Sequence, residues 1–308
     1  MKTTKQIFST VCAALFILAA CQPVEFEEIS GRGNSKNAND SVWFLTVQAT
    51  KEISGQAGND GGTKALDLTD SGQTLNAYWV NNAPVKVYKG NTCVGTLKAS
   101  PDETNSALAT LSGEVTVSGL NDVEELTLMV PSDTWAYTGQ VGTIAGISDK
   151  FDYATAVVKV NGISGNNITT SGAVFANEQS IYRFGFKNGS SYIDPKDFVV
   201  SANGGKLVQS LNLSGSTWTP TYGSITVTPS ATPADHFYYV SLRNESTTDD
   251  TYRFIVIGSN DALYLASKAI PASVLKVPGK FISAKEIAVS QPSFAPASGT
   301  IDKAEDVF

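Results

Sequence analysis

From Val42 onward the chain consists of short β-branched or alternating apolar runs, each soon stopped by Gly, Asn, Asp, Ser or Pro. This texture predicts many short strands and leaves no room for long helices. Strands are expected at residues 42–50, 74–79, 85–88, 93–97, 108–111, 114–118, 125–130, 155–160, 168–174, 181–186, 198–200, 207–213, 224–228, 237–242, 251–258, 262–266 and 281–289. Lys89-Gly90-Asn91, Asn188-Gly189 and Asn203-Gly204-Gly205 supply the positive φ that tight hairpins need. Helix is expected only at 149–153 and 269–275. One β-sandwich uses roughly seven to nine strands in about 100 residues, so this number implies an all-β chain of two sandwiches in tandem. The seam is expected at 161–172, among Gly162, Gly165 and Gly172, giving domains 42–167 and 168–308, the latter ending in a tail.

The N-terminus carries a different signal. Lys2 and Lys5 precede an apolar run from Ile7 to Ala20, and Leu18-Ala19-Ala20-Cys21 has the form of a lipobox. Residues 1–20 therefore read as a lipoprotein signal peptide, too short to span a bilayer as a helix, and Cys21 as the acylated residue of the mature chain. Residues 21–41 are polar and read as a flexible tether.

The formal charge of −7 over 308 residues lacks the basic stripe of a nucleic-acid binder. Once the leader takes Cys12 and lipidation takes Cys21, Cys93 is the remaining cysteine and His236 the sole histidine, so no closed zinc site and no cofactor are expected. No Gly-x-Ser-x-Gly elbow accompanies His236. Glu124-Glu125 and Asp249-Asp250 are adjacent and so point to opposite strand faces, which does not suit paired acid–base work. Gly139-Gln140-Val141-Gly142-Thr143 lacks the Lys of a phosphate loop, and Asn59-Asp60-Gly61-Gly62 lacks the carboxylates of a calcium loop. No enzyme is expected. Trp43, Trp79, Trp135 and Trp218 read as core aromatics; on one exposed face they would instead form a carbohydrate platform.

Thr63-Lys64-Ala65-Leu66, Leu75-Asn76-Ala77-Tyr78-Trp79 and Val85-Lys86-Val87-Tyr88 resemble the opening of fimbrillin-like proteins of Bacteroides and its relatives. So do Tyr137-Thr138-Gly139-Gln140-Val141-Gly142-Thr143-Ile144, Phe151-Asp152-Tyr153-Ala154-Thr155-Ala156 and Phe175-Ala176-Asn177-Glu178-Gln179-Ser180-Ile181. The resemblance spans about Val42 to Ser290. It implies two transthyretin-like β-sandwich domains, export as an outer-membrane lipoprotein, and assembly with other subunits into type V fimbriae at the cell surface, without catalysis. For members that polymerise it implies strand exchange after a trypsin-like protease removes the first strand; a host or bacterial surface ligand is a further candidate partner.

The residues supply parts for that scheme. Trp43, Leu45 and Val47 share one face of the first strand. Lys51 and Lys64 flank a Gly-rich stretch and are candidate processing residues, as is Arg32, although a cut there removes the lipid and keeps the strand. A donor is less evident: Pro292 and Pro296 follow the 281–289 strand and cannot sit within a paired central strand. Shaft, tip and anchor roles all stay open, and a lipid-anchored glycan-binding protein is the alternative.

Overall fold

The structure, a computed structural model, describes residues 40–51, 54–55, 67–70, 74–130, 134–214, 217–275, 278–283 and 286–292. Cys21, Arg32 and Lys64 lie outside the described residues, as do the leader, most of the tether and the tail. The fold is all-β. In chain order the first strands are β1 (Asp40–Lys51), β2 (Ser54–Gly55), β3 (Asp67–Asp70), β4 (Thr74–Tyr78), β5 (Pro84–Lys89), β6 (Thr92–Pro101), β7 (Leu108–Ser118) and β8 (Glu125–Val130). Then come β9 (Thr134–Ala136), helix α1 (Ile144–Lys150), β10 (Ala154–Ser164), β11 (Asn167–Thr170) and β12 (Ala173–Asn177). The rest are β13 (Ser180–Asn188), β14 (Ser191–Tyr192), β15 (Pro195–Ala202), β16 (Val208–Ser214), β17 (Thr217–Tyr222), β18 (Ile225–Val227), β19 (Phe237–Leu242), β20 (Asp250–Gly258), β21 (Leu263–Ile270), helix α2 (Ala272–Leu275), β22 (Phe281–Ser283) and β23 (Ile287–Ala288).

The first core is enclosed by a closed circuit of pairings. β1 pairs with β7, β7 with β6, β6 with β5, β5 with β8, β8 with β10, and β10 with β11 and β12, which return to β1. Alternation puts Leu45, Val47, Val85, Val87, Leu111, Leu126, Leu128, Val158 and Phe175 inside. Gly95 and Gly113 let β6 and β7 approach closely: a Cβ on Gly95 would sit 2.4 Å from the Glu114 carbonyl oxygen, and one on Gly113 2.7 Å from that of Thr96.

The second core is aromatic. Tyr182, Phe184, Phe186 and Tyr238 of β13 and β19 face Phe198, Tyr252 and Phe254 of β15 and β20. Ring centroids lie 5.1 Å apart for both Phe184–Phe254 and Phe186–Phe198, in edge-to-face arrangements that favour the ring quadrupoles. A third sheet, β9–β16–β17, adds Trp135, which stacks between Tyr153 and Trp218.

The chain does not pass from one core to the other at a single seam. Residues 134–153 leave the first circuit after β8, pair β9 with β16 of the second core, form α1 and return as β10. The 161–172 stretch, where the sequence suggested a linker, is the β10–β11 hairpin: Gly165 turns at φ +58° and Gly162 sits at a bulge. β11 and β12 therefore pair with the first core, on the far side of the expected 167/168 division.

The other turn glycines behave as their chemistry requires, Gly90, Gly189 and Gly205 lying at φ +55°, +60° and +63°. The expected strands at 108–111 and 114–118 are one strand, because Gly113 fits inside β7. The helix expected at 149–153 lies earlier, where Thr143 caps it by accepting the Gly146 N–H at 3.0 Å. The segment 269–275 divides between β21 and α2.

Burial pushes the Tyr153 phenol up to about 12, against a smaller lowering from its bond to the Ala136 carbonyl, and pushes Tyr252 up to about 12 as well. An unfolded tyrosine ionises near pH 10. Between roughly pH 10 and 12 the unfolded chain releases protons that the folded chain keeps, so stability falls as pH rises, by roughly 2 kcal/mol for each of these two groups at the upper end. Chemical unfolding at pH 9 and pH 11.5, followed with tyrosinate absorbance, should show the midpoint falling and phenol ionisation coinciding with unfolding.

Candidate functional site: the groove filled by the first strand

β1 owes its position to its alternation. Leu45, Val47, Ala49 and Lys51 are inward and buried with Trp43 packed beside them, whereas Val42, Phe44 and Gln48 face out. On one side eleven residues pair antiparallel with β7, from Asp40 opposite Ser118 to Thr50 opposite Leu108. On the other, Phe44–Thr46 run parallel to β11 and Ala49–Lys51 parallel to β12. The Trp43 indole donates to the Val117 carbonyl at 3.4 Å. Each buried Leu or Val contributes roughly 1.5–3 kcal/mol. Removing the strand would uncover that groove and open two sheet edges at once.

Trp43, Leu45 and Val47 are thus brought together as one buried face. Lys51, a candidate processing residue, ends the same row. It is only 2% exposed, its ammonium lies 3.8 Å from the centroid of the Trp79 ring, and its N–H donates to Ala107 at 2.9 Å. A trypsin-like protease must draw the lysine into its own pocket, so cutting at Lys51 requires this end of β1 to leave the sheet. Sequence alternation contained the signal for an inward Lys51, but the flanking Gly-rich stretch suggested an exposed one.

The other candidates resolve into structural roles. The His236 Nδ1 lies 2.6 Å from the Asp194 carboxylate and its ring stacks on Tyr192 at 4.5 Å, in the turn that leads into β19. Glu124 pairs with Lys89 at 2.9 Å and Glu125 with Lys159 at 3.4 Å, while Asp249 caps α2 and Asp250 accepts from Gly204 and Asn244. Gln140, in the Gly139–Thr143 loop, is buried and exchanges bonds with Ser241 at 2.7 and 2.8 Å as a strand would. Asn59-Asp60-Gly61-Gly62 lies outside the described residues. Trp79 and Trp135 are buried and Trp43 and Trp218 are partly buried in two different cores, so the four do not form one exposed platform. Among the described residues, no group of three or more His, Cys, Asp or Glu is placed to hold a metal.

A half-open cavity of about 240 Å³ lies beside Arg243. Its charges are engaged internally: Arg243 bonds Glu178 at 2.7 Å and Glu245 at 3.0 Å, Thr155 donates to Glu178 at 2.7 Å, and Tyr222 donates to Glu245 at 2.7 Å. The relay runs from β10 of the first circuit to β17 of the second core. Sequence reasoning missed it because its members are scattered from residue 155 to residue 245.

No protein-family model matches the chain, and no curated protein is detectably similar in sequence. Among solved structures, a protein of Bacteroides ovatus provisionally described as a cell adhesion protein aligns over 82% of this chain and 97% of its own, at 12% identity and a TM-score of 0.41. The tip fimbrial protein Mfa3 of Porphyromonas gingivalis, truncated at its C-terminus, aligns over 76% and 86%, at 12% identity and 0.36. A fimbrial assembly protein of Parabacteroides distasonis aligns over 80% and 91%, at 8% identity and 0.35.

Early trypsin products of the folded chain, identified by mass spectrometry, should lack a terminus at Lys51. Leu45→Ala, which should cost about 2–5 kcal/mol, should expose Lys51 to cutting at low protease. Prompt cutting at Lys51 in the wild type would mean that this strand end opens freely.

Proposed function

We propose that the chain is a non-catalytic fimbrial subunit, structural or adhesive, in which β1 holds a groove that a strand of another subunit takes over during assembly. The observation that carries the reading is the placement of β1: it closes the first circuit, buries one face in the core and pairs along both edges. A strand so placed cannot simply be lost, since the exposed groove and edges favour pairing with another chain, the physics of strand complementation. The fimbrillin-like motifs quoted above support the same reading. In this scheme the protein is exported as a lipoprotein acylated on Cys21, reaches the outer membrane, and is freed by a protease acting between β1 and β4, with Lys64 the alternative to Lys51. The two domains are the two cores, and the chain finally leaves the first circuit after Asn177.

Size-exclusion chromatography should show intact protein as a monomer, and protein nicked within residues 56–64 as larger species once β1 departs. Trp43→Asp should loosen β1 and associate without a cut. Monomers in all three samples would end the strand-exchange reading and move the chain towards a tip or anchor subunit or the lipid-anchored glycan-binding alternative.

A further inference from the structure

The inward row of β1 is graded. Trp43, Leu45, Val47 and Ala49 decrease in size along the strand, and the row then ends on a buried cation, Lys51. Its ammonium sits 3.8 Å from the Trp79 ring centroid, and Trp79 is itself 3% exposed. Phe175, in register with Lys51 on parallel β12, meets the indole edge-to-face at 5.3 Å and 82°. The Trp79 backbone is held by a bond from its N–H to Ser106 at 2.9 Å. The indole face is therefore presented to the groove by a fixed frame and shielded from water.

We propose that this end of the groove is a cation-selective subsite, and that the strand which replaces β1 carries a lysine or arginine there. This deepens, and rests on, the reading of β1 as an exchangeable strand. The partner is an extended segment whose inward row runs from large to small apolar side chains and ends on a cation. A desolvated indole face attracts ammonium or guanidinium through its quadrupole, holds a neutral thioether less well and repels a carboxylate. The subsite also fixes register. A one-residue slip turns every side chain to the wrong face, but a two-residue slip preserves alternation. The graded sizes and the terminal cation distinguish those even-numbered registers.

Two measurements test this. In the intact chain, Lys51→Arg should melt close to wild type, whereas Lys51→Met should lower the folding equilibrium constant about tenfold, and by less in a Trp79→Phe background. With the nicked chain, labelled peptides of residues 40–51 should bind comparably with Lys or Arg at position 51 and about tenfold more weakly with Met. Lys51→Met as stable as wild type, or equal binding of the three peptides, would overturn the subsite. Equal binding would leave strand exchange standing. Binding by none of the peptides, with Lys51→Met still destabilised, would keep the subsite as a lock on the resident strand and reject exchange.

Discussion

Hydrogen-bond closure through β1 is the constraint on which the first core depends. β5, β6 and β7 pair in succession, β8 returns to β5 and β10 to β8, whereas among the described residues β7 and the β11–β12 edge are joined only through β1. Burial and pairing are therefore coupled in one element. A change that weakens the inward face also loosens the backbone ladder, and the reverse holds.

The second core depends less on closure and more on aromatic packing between facing sheets. It is stitched to the first by the excursion of residues 134–153, by the Thr155–Glu178–Arg243–Glu245–Tyr222 relay, and by a small apolar cluster in which Leu75 and Ala77 of β4 meet Ile147, Phe151, Ile181 and Phe281. These links explain why Gln140 and Trp135, which lie between two first-circuit strands in sequence, are buried against the second core.

Local chemistry was legible in the sequence and long-range pairing was not. Gly90, Gly189 and Gly205 announced their turns because positive φ is a property of one residue and its neighbours. Alternation gave the buried face of Leu45 and Val47. The same signals misread Gly162 and Gly165 as a linker, since a bulged hairpin and a flexible joint use the same residues. β9 and β17 escaped notice because Thr134–Ala136 is too short to show a period and Pro220 interrupts Thr217–Tyr222, which pairs only with β16. At the groove, Lys51 looked like a solvent lysine because nothing local marks the approach of Trp79.

The pairing of Phe44 with Asn167 has a consequence in time. β1 is made first, yet its parallel neighbours emerge more than a hundred residues later, and loop closure over such separations is slow. The other pairings of the circuit all join strands between residues 84 and 177 and do not require β1. However early β1 pairs with β7, its second edge stays open until β11 and β12 have been made, so closure of the circuit waits on the last two of its strands to be synthesised.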